Sequence, residues 1–165
     1  MNTLTSLFAY KTWADTELLE SMGKVRADTH PEELRIAIRT QNHAHVSDRI
    51  FRAHLAGEKH SFTATNTVET PTLEALASSV KENDAWFERY VSTITPDQLG
   101  EVLRFTFTDG DAGQMSREEM LLHVITHSGY HRGNVGQILE AASVDPPRDL
   151  YTRFLHSSQP SRRQA

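Results

Sequence analysis

The stretch HVITHSGYHRGNVGQI, residues 123–138, sets His123, His127 and His131 four residues apart among Val124, Ile125 and Ile138. Four-residue spacing stacks side chains on one helix face, one turn above the next. Histidine is only a middling helix former, so three in one helix imply either a shared task or a solvated surface. Neutral imidazole is a favoured ligand for divalent transition ions. With Leu121 at the origin of a helical wheel, Val124, Ser128, Val135, Ile138 and Leu139 fall in one arc of about 100°. His131 falls near the middle of that arc, His127 at its edge and His123 further round, on the flank. His123 is expected to pack beside the site or to support one of its ligands.

A second apolar stripe runs through Ile36, Val46 and Ile50, and His43 sits within it. His45 points to the opposite side of that helix. His54 shares the face of His43 but lies about 16 Å further along the axis. His43, His127 and His131 therefore form a candidate metal-ligand set from two helices. A buried imidazole costs free energy unless its nitrogens find partners, and a shared ion satisfies three at once. Three neutral nitrogens leave coordination positions open, as in catalytic zinc sites, where a bound water ionises near neutral pH. His30, His45 and His60 are expected to face solvent, and His156 to lie in the tail. A hydrogen-bonded histidine core network without metal is the competing reading.

Composition narrows the chemistry. The chain has 165 residues, nine histidines and no cysteine. Protein thiolates and disulfides are thereby excluded, and any thiol must come from a bound molecule. A net charge of −5 argues against binding nucleic acid through its phosphates. No run approaches the ~18 apolar residues of a membrane span, and the first twenty residues read as a helix rather than a signal peptide. A cytoplasmic protein is expected. No Glu-x-x-His occurs, so a ferritin-like carboxylate site lacks its signature. No HExxH, G-x-S-x-G or phosphate-binding glycine loop occurs either.

The elements that must position the histidines follow from periodicity and caps. Helices are expected over about residues 3–22, 30–56, 72–94 and 116–142. Thr29 with Glu32, and Ser116 with Glu119, have capping-box spacing. Gly23 and Gly57 are natural stops. Leu103, Phe105 and Phe107 alternate before Asp109-Gly110, which predicts a short extended excursion between the third and fourth helices. Pro146-Pro147 blocks continuation, and DLYTRFLH suggests a short final helix. The expectation is an all-α four-helix bundle, one domain over 1–157, with a flexible tail over 158–165. The short first connection favours antiparallel first and second helices; the longer ones imply at least one crossover. Arg132 is expected to pair with a carboxylate such as Asp48.

YKTWADTELLE, NHAHVSDRIFRAHLAGE and LLHVITHSGYHRGNVGQIL resemble motifs of the DinB / YfiT-like family of metal-dependent helix-bundle proteins. The resemblance covers nearly the whole chain. It implies a four-helix bundle, commonly a homodimer, with one divalent ion, zinc or nickel among others, held by His43, His127 and His131. Some relatives are transferases or isomerases that use a low-molecular-weight thiol, so a small-molecule substrate and a thiol cosubstrate are implied, with neither nucleic acid nor membrane as partner. Metal-water hydrolysis is a second enzymatic form. The alternative is a non-enzymatic, metal-stabilised protein acting in stress or as a scaffold.

Overall fold

The computed structural model describes residues 2–163 and is mostly helical. In chain order it runs α1 (Thr3–Met22), α2 (Pro31–Ala56), α3 (Leu73–Thr93), the single-turn α4 (Pro96–Leu99), strands β1 (Val102–Thr106) and β2 (Ala112–Ser116), α5 (Arg117–Ala141) and α6 (Tyr151–Ser158). A 3-10 turn, Pro160–Arg162, follows within the segment expected as a flexible tail. Residues 1, 164 and 165 of the expected domain and tail lie outside the described residues. No described helix is long and apolar enough to cross a membrane.

Local chemistry sets most boundaries. Asn2 caps α1 by accepting from Thr5 N at 2.8 Å. Thr72 caps α3, and Ser116 with Glu119 forms a reciprocal capping box on α5. Gly57 ends α2 at φ 70°, a left-handed conformation that favours glycine. The Thr29 capping box does not form. His30 occupies the cap position of α2 without a side-chain bond, because Thr29 is drawn into a turn that returns its N–H to Arg26 O at 3.1 Å.

The extended excursion is an antiparallel hairpin, with Phe105 opposite Gly113 and Val102 opposite Ser116. Ser116 is both the last residue of β2 and the cap of α5. The long helices pack in a cycle: α2 lies along α5 and α3, and α1 along α3 and α5. The expected α1–α2 neighbours touch at few positions, since each spends its apolar stripe on α3 and α5 instead.

The core has two apolar ends. Leu4, Phe8, Phe51, Phe87, Val91, Leu121 and Val124 fill one; Leu18, Met22, Ile38, Leu76, Val135 and Leu139 fill the other. Between them lies a buried charged layer. Lys11 Nζ, 2% exposed as a residue, reaches Asp15 at 2.8 Å, Asp48 at 3.0 Å and Asp84 at 2.6 Å. Arg132 bonds Asp149 at 2.7 Å and Asp15 at 3.4 Å. Burial pushes Asp48 up to about 6 and Asp84 up to about 7, although Lys11 opposes both shifts. Burial acts the same way on Asp15, but Lys11 and Arg132 outweigh it and hold that carboxyl below its usual range.

Candidate metal centre

His43 stands on α2 and His127 and His131 on α5, where these two helices pack together. The rings of His43 lie 5.2 Å from His127 and 4.6 Å from His131, centroid to centroid. One nitrogen from each of the three falls within 4.8 Å of the others, and all three residues are half-buried. The Nε2 atoms of His127 and His131 face each other at 3.1 Å. Two ligands on one zinc, each at about 2.0–2.1 Å, would stand ~3.3 Å apart at the tetrahedral angle. The donor set therefore fits a divalent ion.

Protonation favours the same reading. Burial, then the neighbouring imidazoles, lowers His127 to about 4. Burial and His43 lower His131 as well. Both rings are neutral at neutral pH and keep a lone pair. Nδ1 of His127 and of His131 is buried without a hydrogen-bond partner, an arrangement that costs ~1–3 kcal/mol per group in a closed core.

His43 is oriented from outside the helices. Its Nδ1 lies 2.9 Å from Thr65 O in the loop after α2, so Nδ1–H donates to the carbonyl and Nε2 is the nitrogen left for a ligand. Such an outer hydrogen bond fixes the tautomer of a metal-ligating histidine. The loop is tied back to α2. Asn42 Nδ2 donates to Asn66 Oδ1 at 2.6 Å and Thr67 Oγ1 at 2.8 Å, and Asn66 Nδ2 donates to Arg39 O at 3.0 Å.

Two openings flank the histidines. On the His131 side is a groove of about 490 Å³, lined by Arg35, Arg39, Thr40, Asn66 and Asn134. On the His127 side is a cavity of about 220 Å³, walled largely by apolar and aromatic side chains.

A sequence model of the DinB family matches residues 1–163. The chain belongs to the DinB family. Protein DinB of Bacillus subtilis (strain 168) is 23% identical to it over 153 residues, spanning 87% of this chain and 88% of that one. The crystal structure of a DinB-like protein from Bacillus cereus ATCC 10987 matches with a TM-score of 0.59 at 21% identity, covering 84% of this chain and 90% of that one. This likeness concerns the fold.

In this DinB-family protein the three expected ligands are brought together, but not in the middle of the buried stripe. Ser128, Arg132, Val135 and Leu139 hold the centre of the buried face of α5, with His127 and His131 on its flank. The expected arc included Ile138, which is only partly buried, and so leaned toward the histidines. Ile36 is 41% exposed and lies on the groove instead of in the core.

His123 takes its expected flanking place, stacked on His127 at 5.1 Å and 4.5 Å from the Phe51 ring. His54 stays apart from the cluster, beside Phe105 at 4.9 Å. His45 is a correction: it is 4% exposed and bonded to Ser79 Oγ at 2.7 Å. The side of α2 opposite His43 faces α3 rather than water. His60 is half-buried against His54, and His30 half-buried at the start of α2. Arg132 pairs with Asp15 and Asp149, because Lys11 and Ser128 already engage Asp48.

Asn42 and Arg39 join the site unexpectedly, through the loop after α2 and the groove. Asn42 precedes His43, so its polarity on a buried helix face was a usable signal.

Proposed function

We propose that this protein is a metal-dependent enzyme of the thiol S-transferase kind, with His43, His127 and His131 holding one zinc or nickel ion on a bundle of the four long helices. The observation that carries the reading is the set of three half-buried imidazoles whose nitrogens converge within 4.8 Å, with burial favouring the neutral form of His127 and His131. When bound, the ion supplies a positive charge that favours the thiolate form of a low-molecular-weight thiol at neutral pH.

The chain's own residues supply position. Thr65 O holds the His43 ring with Nε2 inward. Arg39 spends its guanidinium donors on Thr67 O, Val68 O and Thr70 Oγ1, all uncharged. Its charge remains available to a carboxylate on a thiol cosubstrate in the adjoining groove. The half-buried setting of the cluster limits water around the sulfur.

The test begins with elemental analysis of untagged protein purified without added metal. Close to one equivalent of zinc or nickel is expected, and His131→Ala should lose it while remaining folded. Conjugation of glutathione and of cysteine to 1-chloro-2,4-dinitrobenzene then reads activity before and after chelation. Metal bound with no chelator-sensitive conjugation by any small thiol would leave the ion as a staple between α2 and α5. Failure to take up added zinc or nickel would return the histidines to a hydrogen-bonded cluster.

A further inference from the structure

The cavity on the His127 side has no part in the reading above. We propose that it binds an uncharged substrate built on a single compact ring, and that the β1–β2 hairpin sets its selectivity. That the occupant is a substrate rests on the metal-enzyme reading, because His43 and His127 form one wall of the cavity.

Size comes first. A cavity of ~150 Å³ lined by Leu, Ile and Phe is enough for benzene. This one is about 220 Å³, which admits one ring with small substituents and no fused system of much greater bulk. Its walls suit a ring. Phe51 from α2 meets Phe105 from β1 at 6.2 Å in a T-shaped contact, and Phe105 meets Phe107 at 4.8 Å in the same manner. Aromatic guests gain from such offset and edge contacts beyond their buried area.

Charge comes second. No Asp, Glu, Lys or Arg lines the cavity. A charged ligand would surrender its hydration with no ion to replace it. The groove on the His131 side presents Arg35 and Arg39 instead. The candidate metal centre thus separates a cationic approach from an uncharged aromatic one, as a reaction between a polar thiol and an apolar electrophile requires.

A polar anchor comes third. His54 lines the cavity, and its Nε2 is buried with no hydrogen-bond partner. Its ring is held against Phe105 and His60. A small turn of the His54 ring would bring that nitrogen to a hydroxyl or carbonyl on the bound ring.

The hairpin's control is visible at Gly113, opposite Phe105 in the ladder. A Cβ added there would stand 2.6 Å from Phe107 Cε2 and 2.9 Å from Phe105 Cζ. Glycine lets both rings fold across β2. Any side chain at this position must displace the rings and reshape the cavity without touching a histidine.

Binding of phenol, fluorobenzene and benzoate, followed by calorimetry and fluorine NMR, tests the proposal, with metal content measured on the same samples. Phenol and fluorobenzene should saturate one site, phenol ~3–10-fold tighter through its bond to His54. Benzoate should bind at least ~tenfold more weakly than phenol because its charge must be desolvated. His54→Leu should level phenol with fluorobenzene. Gly113→Val should weaken both by ~tenfold or more with metal content unchanged. Thr108→Trp, which fills the cavity from the hairpin turn, gives an independent block should Gly113→Val fold poorly. His131→Ala should lose metal yet keep ring binding, since His131 does not line this cavity. Ring binding by wild type that takes up no added zinc or nickel would remove the metal reading and keep the pocket. No saturable binding of either neutral ring, or binding indifferent to Gly113→Val and Thr108→Trp, would overturn the inference whatever the metal content.

Discussion

Two polar regions share α5, one residue apart, and they meet burial in opposite ways. Ser128 and Arg132 turn inward to the charged layer; His127 and His131 turn to its flank. In the layer every charged end has a partner. Lys11 has three carboxylates and Arg132 has two. The surplus of negative charge is relieved by raising Asp48 and Asp84 toward neutrality. In the histidine cluster the lone pairs converge on one another and two ring nitrogens have no partner at all. A network whose charges are all paired specifies one packing, even with the neutral Gln41 Oε1 beside it unpartnered. A set of donors left open is suited to a ligand. The contrast separates polar residues that hold the fold from polar residues that can act.

The largest effect should come from breaking the closed region. Lys11→Met leaves three buried carboxylates without their cation, and a loss of ~3–5 kcal/mol is expected in urea unfolding. Zinc uptake by the fraction still folded should be unchanged, because the partners of Lys11 are carboxylates and not His43, His127 or His131.

The open region should answer to metal instead. At a free zinc concentration 100-fold above Kd, wild-type protein should gain ~2.7 kcal/mol, lost on chelation. His131→Ala should show neither the gain nor the loss. A wild-type melting curve that ignores both zinc and chelator would erase the distinction between the regions.

Acidity offers a subtler test. The folded pKa of Asp84 lies above its unfolded value, so its contribution to stability is fully present below pH ~4 and lost as pH rises through about 7. Asp84→Asn removes that ionisation. The variant should therefore gain on wild type by ~2–3 kcal/mol between pH 5 and pH 8, read from urea midpoints. His45 works oppositely: burial lowers it to about 3, so its contribution is present above pH ~6.5 and lost as pH falls toward 3. His45→Gln should flatten the acid limb of the stability curve.

The smallest change concerns the loop. Asn42→Ala should cost only ~1 kcal/mol of stability but weaken zinc binding by ~10–100-fold, since Thr65 would no longer be held against His43. Equal affinity in the variant would show that the loop follows the histidine rather than orienting it.

Much of the site was legible before the fold was known. Four-residue spacing brought His127 and His131 together, and the stripe on α2 selected His43. Helix ends at Met22, Ala56 and Ser116 were readable from glycine and capping chemistry. His45 was misplaced because a wheel shows which way a residue points and not what stands there; α3 does. The charged layer went unread although its signal was present. Leu4, Phe8, Lys11, Asp15, Leu18 and Met22 follow alternating four- and three-residue steps, and all six are buried. A lysine and an aspartate at mid-stripe positions are as diagnostic of a buried ion pair as leucine is of a core. The partner strand β2 carries no alternating apolar pattern in AGQMS, so half the hairpin lay below any sequence signal, whereas Thr95 and Gln98, at capping-box spacing around Pro96, did mark the α4 turn.

Ser116 joins the hairpin to α5 in a single residue. A change of loop length at residues 107–111 leaves helix start and ladder in phase. An insertion between 112 and 116 must sacrifice either the pairing or the cap. Indels at the hairpin tip would thus reshape the cavity's rim, whereas the joint beneath it tolerates substitution alone.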